Sequence, residues 1–179
     1  AISSYTSLSR QEAFDIEYWL LEEAKLKRQP KEKPLSRKVA LVTGSGGGIG
    51  RAIADKLIAE GAHVVLTDIS EEYLKKATAA YSSDQAIGCY CNVTENESIE
   101  EAISSACLYF GGLDIVVHSA GLAISKAITH TSEADWELLQ GVLVKGQFLL
   151  SKAAAEIMRK QNLGGNIVNI ASKNGLVSG

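Results

Sequence analysis

An α/β fold with a doubly wound parallel sheet is predicted by three features of the sequence. From Arg37 onward, short apolar runs alternate with helical segments, the pattern of buried parallel strands joined by crossovers. A glycine-dense turn, Gly44-Ser-Gly-Gly-Gly-Ile-Gly50, links the first apolar run to the first helix. An acidic residue, Asp68, ends the second run. Strand, glycine turn, helix, strand and acid in that order describe one βαβ unit built to hold a dinucleotide.

The elements follow in sequence. Val39–Val42 is expected to lead to a helix over 49–60, and His63–Thr67 to one over 71–80. Gln85–Tyr90 leads to a helix over 95–110. Asp114–Val117 runs through a loop into a long helix over 133–161, capped by Ser132-x-x-Asp135 and closed by Gly164-Gly165. Asn166–Ile170 is the fifth strand. Residues 1–36 differ: Ser9-x-x-Glu12 reads as a capping box for a helix to about Gln29. Phe14, Ile16, Trp19, Leu20, Leu21, Ala24 and Leu26 give that helix an apolar side, and Pro30 and Pro34 end it in a charged connector. The expected division is a linker helix over 1–36 and a nucleotide-binding domain over 37–179.

Each glycine of the turn has a physical task. Gly44 permits the sharp exit from the strand, Gly48 lets backbone approach a pyrophosphate, and Gly50 lets the helix pack closely on the strand. The helix N-terminus presents unpaired N–H groups and a positive dipole end to phosphate. Asp68 is placed to accept from a ribose 2′-hydroxyl and to repel a 2′-phosphate, and neither Ile69 nor Ser70 brings a positive charge to it. NAD is therefore expected over NADP.

Composition narrows the remaining classes. With 46% hydrophobic and 22% charged residues and a net charge of −3, nothing favours nucleic acid or an anionic membrane. No apolar run reaches the roughly 18–20 residues that span a bilayer, and no apolar segment near Ala1 reads as a signal peptide. Cys89, Cys91 and Cys107 are odd in number and sit among apolar residues, which suits a reduced, cytoplasmic compartment. His63 and His130 lack partners at metal-ligand spacing, so no metal site is expected. The chain has no initiator methionine and stops in a Gly/Ser-rich turn, so it is expected to be a piece of a longer polypeptide.

Residues 38–179 resemble the short-chain dehydrogenase/reductase family, whose fingerprint Thr-Gly-x-x-x-Gly-x-Gly is matched by Thr43, Gly44, Gly48 and Gly50. Asn92-Val93 stands where the family contacts adenine, and Ala120-Gly121 matches the end of its Asn-Asn-Ala-Gly motif. Asn169-Ile170-Ala171-Ser172 resembles the segment that carries the catalytic serine. The resemblance implies a Rossmann-type domain and hydride transfer between NAD and a small hydroxy or aldehyde substrate. It implies cofactor contacts at Gly44, Gly47, Gly48, Ile49, Gly50, Asp68, Ile69, Asn92, Val93, Ala120 and Gly121. It makes Ser172 the group that holds the substrate oxygen, and it implies a homo-oligomer for a full-length chain. The family's Tyr-x-x-x-Lys pair does not occur between Ser172 and Gly179, so the chain alone is expected to be inactive.

Two positions depart from the pattern. Leu143 falls where the family places a proton-relay asparagine, and His118-Ser119 replaces the Asn-Asn pair. Leucine has no hydrogen-bonding group for a relay. His118 is expected to be a satisfied histidine at a strand end, Lys145 a solvated charge, and Cys89 and Cys91 small core residues. These departures keep a second reading open, a non-catalytic dinucleotide-binding module. The N-terminal stretch Phe14-Asp-Ile-Glu-Tyr-Trp19 with its Pro-bounded connector also resembles the junction in bacterial fused rhamnulose-1-phosphate aldolase/alcohol dehydrogenase proteins. That resemblance implies lactaldehyde as substrate and a preceding aldolase domain.

Overall fold

The structure is a computed structural model that describes residues 8–16, 24–27 and 31–172. It contains two compact units, Ala1–Glu32 and Lys33–Gly179. In the first, the capping box forms as the spacing predicts. Ser9 Oγ accepts the Glu12 N–H at 3.1 Å and Glu12 Oε2 accepts the Ser9 N–H at 2.9 Å, starting helix α1 (Arg10–Phe14). Residues 24–27 are helical as well. Trp19, Leu20, Leu21 and the predicted end near Gln29 lie outside the described residues.

The second unit is a five-stranded parallel sheet in the order β3-β2-β1-β4-β5. Its strands are β1 (Val39–Thr43), β2 (His63–Asp68), β3 (Ala86–Tyr90), β4 (Ile115–His118) and β5 (Asn166–Asn169). Helices α2 (Gly48–Ala59), α3 (Glu71–Thr78) and α4 (Asn96–Phe110) connect the early strands, and α5 (Glu133–Gln140) and α6 (Gly146–Gln161) lead into β5. The doubly wound fold predicted from the alternating runs is the fold observed.

The central strand explains why those runs look continuously apolar. All five residues of β1 are buried, because the sheet is covered on both faces. The period of two then divides them between two cores. Val39 and Leu41 join Val65, Ile99, Ala102, Leu150 and Ala154 under α4 and α6. Ala40 and Val42 join Val64, Leu66, Ala54, Ile58 and Leu74 under α2 and α3. Register fixes the ends as well: Leu41 lies between Val65 and Val116, and Thr43 lies opposite Thr67. Chain direction reverses its progress across the sheet between β1 and β4, so the crevice of this fold opens at their C-terminal ends.

The long C-terminal helix differs from expectation in two ways. Its start is capped as predicted, Ser132 Oγ accepting from Asp135 N–H at 3.1 Å. Its middle is a π-turn over Gly141–Lys145, where the Gly146 N–H reaches back to the Gly141 carbonyl. One extra residue per turn rotates α6 relative to α5, and a helical repeat read from sequence carries no mark of it. The helix closes on Asn162 in the left-handed conformation (φ 53°), ahead of the glycine pair to which the sequence assigned that job. Asparagine is the side chain that tolerates this conformation best after glycine. Outer edges of β3 and β5 pair with no strand among the described residues.

Candidate dinucleotide-binding site

The site is built where β1 gives way to α2. Gly44 turns with φ +65°, and a Cβ there would lie 3.0 Å from the Ala120 Cα. The loop is then pinned to β2: both the Ser45 N–H and the Ser45 hydroxyl donate to the Thr67 carbonyl, at 3.0 and 3.2 Å. Gly46 follows with its N–H donating to Asp68 Oδ2 at 2.9 Å. Gly47 is extended (φ −168°) and caps α2 with no side chain, and Gly48 has φ +56°. No heavy atom lies within 4 Å of where a Cβ would sit on either residue, so bare backbone faces the crevice. The first turn of α2 contains no acidic residue, and its leading N–H groups have no intrahelical acceptor. This surface attracts an anion.

A cavity of about 640 Å³ occupies the crevice. The glycine loop contributes Gly44 and Gly47, Gly48, Ile49 and Gly50, and the end of β2 contributes Asp68 and Ile69. Asn92 and Val93 enter from beyond β3, and Ala120 and Gly121 from beyond β4. The structure thus brings all the sequence-assigned contact residues around one space. Sequence reasoning assigned no cofactor contact to Cys91, Thr94, Ser119, Leu122, Leu138 and Val142, which complete the walls. The last two come from α5 and the π-turn, whose approach the sequence does not specify. A larger hollow of about 880 Å³ runs along the outer edge of β3 between α3 and α4. It lies beside the sheet and away from the glycine loop, so it is not the crevice this fold uses.

Asp68 is held by backbone on both oxygens, since the Ser70 N–H donates to Oδ1 at 2.9 Å. Each carboxylate oxygen keeps acceptor capacity for a further donor. Arg51, in the first turn of α2, is committed elsewhere. Its Nε contacts Asp55 Oδ1 at 2.6 Å, its guanidinium lies over the Tyr81 ring, and the Tyr81 hydroxyl donates to Asp55. Asn92 organises its own loop, its Oδ1 accepting from the Thr94 N–H and hydroxyl and its Nδ2 donating to Glu95. Burial pushes the Cys91 thiol up to about 12, which makes it a neutral wall residue. Cys89 is partly buried against the same core, and Lys145 is exposed.

Thr43 joins the two halves of the site. Its Oγ1 accepts from the Ser119 N–H at 3.1 Å and the Ala120 N–H at 3.0 Å, fixing the loop beyond β4 against β1. Thr43 is 1% exposed, so its removal would leave two shielded donors without an acceptor. Thr43→Val is expected to cost about 2–4 kcal/mol in urea unfolding, and Thr43→Ser about 1 kcal/mol for the lost methyl. Equal losses for the two variants would show that the hydroxyl does not carry the effect.

His118 corrects its expectation. It is buried at the end of β4 (4% exposed), and its Nδ1 lies 3.4 Å from Thr43 Oγ1. Its Nε2 is enclosed without a hydrogen-bond partner. Ser172 is exposed, beyond the end of β5, and does not line the cavity. Among the described residues no group of His, Cys, Asp and Glu is arranged to hold a metal ion, and no helix is long and apolar enough to cross a membrane.

Comparisons with known proteins agree with this geometry. The family model for short chain dehydrogenase matches residues 38–179, and that for the second domain of class II aldolase matches residues 1–26. The chain is 40% identical over its whole length to YuxG, an uncharacterized oxidoreductase of Bacillus subtilis (strain 168), and covers 27% of that protein. It is 41% identical to an uncharacterized oxidoreductase of Staphylococcus aureus (strain USA300), over 79% of this chain and 61% of the relative. The crystal structure of a short-chain type dehydrogenase/reductase from Mycobacterium marinum superposes with a TM-score of 0.77 at 31% identity, covering 81% of this chain and 60% of that one. The chain therefore spans less than two thirds of each of these relatives. With a matching family model over most of its length and the glycine loop, sheet order and crevice in place, the chain belongs to the short-chain dehydrogenase family.

Proposed function

We propose that this chain forms the NAD-binding part of an oxidoreductase that moves a hydride between NAD and a small hydroxy or aldehyde substrate. The observation that carries the reading is the single crevice shared by the uncapped N-terminus of α2, the bare backbone of Gly47 and Gly48, and the Asp68 carboxylate. A nicotinamide dinucleotide fits these groups: pyrophosphate against the α2 N–H groups, adenosine ribose toward Asp68, and adenine near Asn92 and Val93. When bound, the nicotinamide ring supplies the hydride acceptor or donor. The chain's own residues bind and orient: the glycine loop neutralises phosphate charge through N–H groups, and Ala120 and Gly121 leave room along the second ribose. Ser172 is the proposed holder of the substrate oxygen.

Asp68 supports NAD over NADP, since no ion pair to it is found among the described residues and Arg51 is engaged by Asp55 and Tyr81. The aldolase match over residues 1–26 supports a fused aldolase/dehydrogenase polypeptide, with lactaldehyde as the proposed substrate, acting in the cytoplasm. Exposed Trp136, Val144 and Phe148 along α5 to α6 support a homo-oligomer. Leucine at 143 favours the alternative of a dinucleotide-binding module without catalysis. Calorimetric titration of the chain with NAD and NADP, followed by an NAD-linked lactaldehyde assay on the longest natural polypeptide that contains it, decides. Tight NAD binding with turnover is expected; binding without turnover supports the module, and no binding of either nucleotide overturns both readings.

A further inference from the structure

The outer edge of β3 carries unpaired backbone, and register settles which groups those are. The Gln85 carbonyl accepts from the Val64 N–H at 2.9 Å, and the Cys91 N–H donates to the Asp68 carbonyl at 3.0 Å. Backbone groups alternate along a strand, so Ile87 and Cys89 also face β2, while Ala86, Gly88 and Tyr90 face outward. The Ala86 N–H is taken by the Ser82 carbonyl. That leaves the Ala86 carbonyl, both groups of Gly88 and the Tyr90 N–H, and they pair with no strand among the described residues. The strand, Ala-Ile-Gly-Cys-Tyr, has neither a charge nor a proline to discourage pairing. Such an edge is a template for an added strand.

This edge is the floor of a groove. The hollow between α3 and α4 lies along it, and a second hollow of about 660 Å³ opens on the α4 side, sharing Cys89 and Ser105 with the first. Leu108 and Tyr109 stand exposed on the α4 wall (83% and 70%), and Glu97, Glu100 and Glu101 line the same wall. Helix α4 contains no lysine or arginine, and none of its glutamates has an ion pair among the described residues. On α2 and α3, by contrast, Asp55, Glu60 and Glu72 each face a cation one turn away. Glu97 in the first turn suits the helix dipole, but Glu100 and Glu101 lie beyond its reach. We propose that the edge of β3 is the docking site for an extended, basic segment of a partner protein, which joins the sheet as an added strand. Backbone pairing supplies the hold, and the acidic wall selects the charge. Side chains opposite Ile87 and Cys89 face the core under α4, so these positions are Lys or Arg. The residue between them faces α3, where Leu74 lies close to Gly88, and is apolar. A second copy of this chain fits less well, because pairing β3 with itself sets two acidic walls side by side.

The probe is the fluorescein-labelled heptapeptide Lys-Val-Lys-Val-Lys-Val-Lys, titrated into the full chain by fluorescence anisotropy at about 50 mM salt. The same peptide with glutamate for lysine is the control. The basic peptide is expected to bind with a Kd of about 10–100 μM, and the acidic one at least about tenfold more weakly. Hydrogen exchange locates the contact: the Gly88 and Tyr90 amides are expected to slow about tenfold at saturation. Changing the two exposed acids together, Glu100→Lys and Glu101→Lys, is expected to weaken binding about tenfold with an unchanged unfolding midpoint. Tyr90→Pro removes an outward N–H without touching the bonds to β2, and is expected to weaken binding about fivefold. If Tyr90→Pro does not fold, the exchange data and the glutamate variant decide. Binding that leaves the Gly88 and Tyr90 amides unprotected overturns the proposal, since the acids alone would then attract the peptide. So does equal binding of the two peptides, or no binding of either. A chain that sediments as a dimer, becomes monomeric as Tyr90→Pro and ignores the peptide overturns it in favour of a second copy. None of these readouts depends on dinucleotide binding.

Discussion

Gly50→Ala is expected to abolish measurable dinucleotide binding and to destabilise the domain by about 3 kcal/mol. A Cβ at this position would meet the Gly44 carbonyl, its carbon at 2.7 Å, and the Ser45 nitrogen at 3.1 Å. These are backbone atoms of the turn, and Ser45 is fixed to Thr67 by two hydrogen bonds, so they cannot step aside as a side-chain end would. The first turn of α2 has to retreat from the loop, which withdraws the N–H groups of the Gly48 region from the crevice. Gly47→Ala is the control, because no heavy atom lies within 4 Å of its Cβ position and its backbone is extended. It is expected to fold with parental stability and to weaken binding about tenfold by placing a methyl on the phosphate surface. Urea unfolding and calorimetric titration measure both. Parental affinity in Gly50→Ala would mean that the glycine loop is not where the nucleotide binds.

The contrast between these two glycines shows what the sequence could express. Spacing identifies Gly44, Gly48 and Gly50 as a unit, and the strand before and helix after them follow from apolar periodicity. The ends of β1, β2 and β4 then bring Asp68, Ala120 and Gly121 to the same crevice, because parallel strands in a doubly wound sheet present their C-termini together. Those features are local, or are fixed by topology. The π-turn is neither: the glycine and two valines of Gly141–Lys145 weaken an α-helix without marking where an extra residue enters, and the turn packs closely, as Gly146 does against Val93, where a Cβ would lie 3.1 Å from a carbonyl oxygen. The unpartnered Nε2 of His118 likewise depends on how Thr43 distributes its hydrogen bonds across two strands. Asn162 took the helix-ending conformation for which glycine is the usual sequence signal, two residues before the nearest one. Departures of this size move a wall or a cap and leave the sheet unchanged.

Cofactor choice is the other large expected effect, and it turns on one carboxylate. Asp68→Asn keeps an acceptor oxygen for one of the two backbone donors, Gly46 or Ser70, while removing the charge. Asp68→Ala removes both acceptors. If charge sets the preference, Asp68→Asn alone is expected to lower the NAD-to-NADP affinity ratio by about 100-fold, through weaker bonds to the ribose hydroxyls and loss of repulsion toward a 2′-phosphate. Tight NADP binding is not expected to follow, because Arg51 stays with Asp55 and beneath it the Tyr81 ring. Adding Asp55→Asn to Asp68→Asn releases that guanidinium from its ion pair and is expected to raise NADP affinity about tenfold over the single variant. Asp68→Ala separates geometry from charge: a further loss of affinity for both nucleotides alike measures what the carboxylate contributes by holding Gly46 in the loop. A parent protein that binds NADP as tightly as NAD would instead mean that Asp68 serves only the loop, and that the adenosine ribose lies out of its reach.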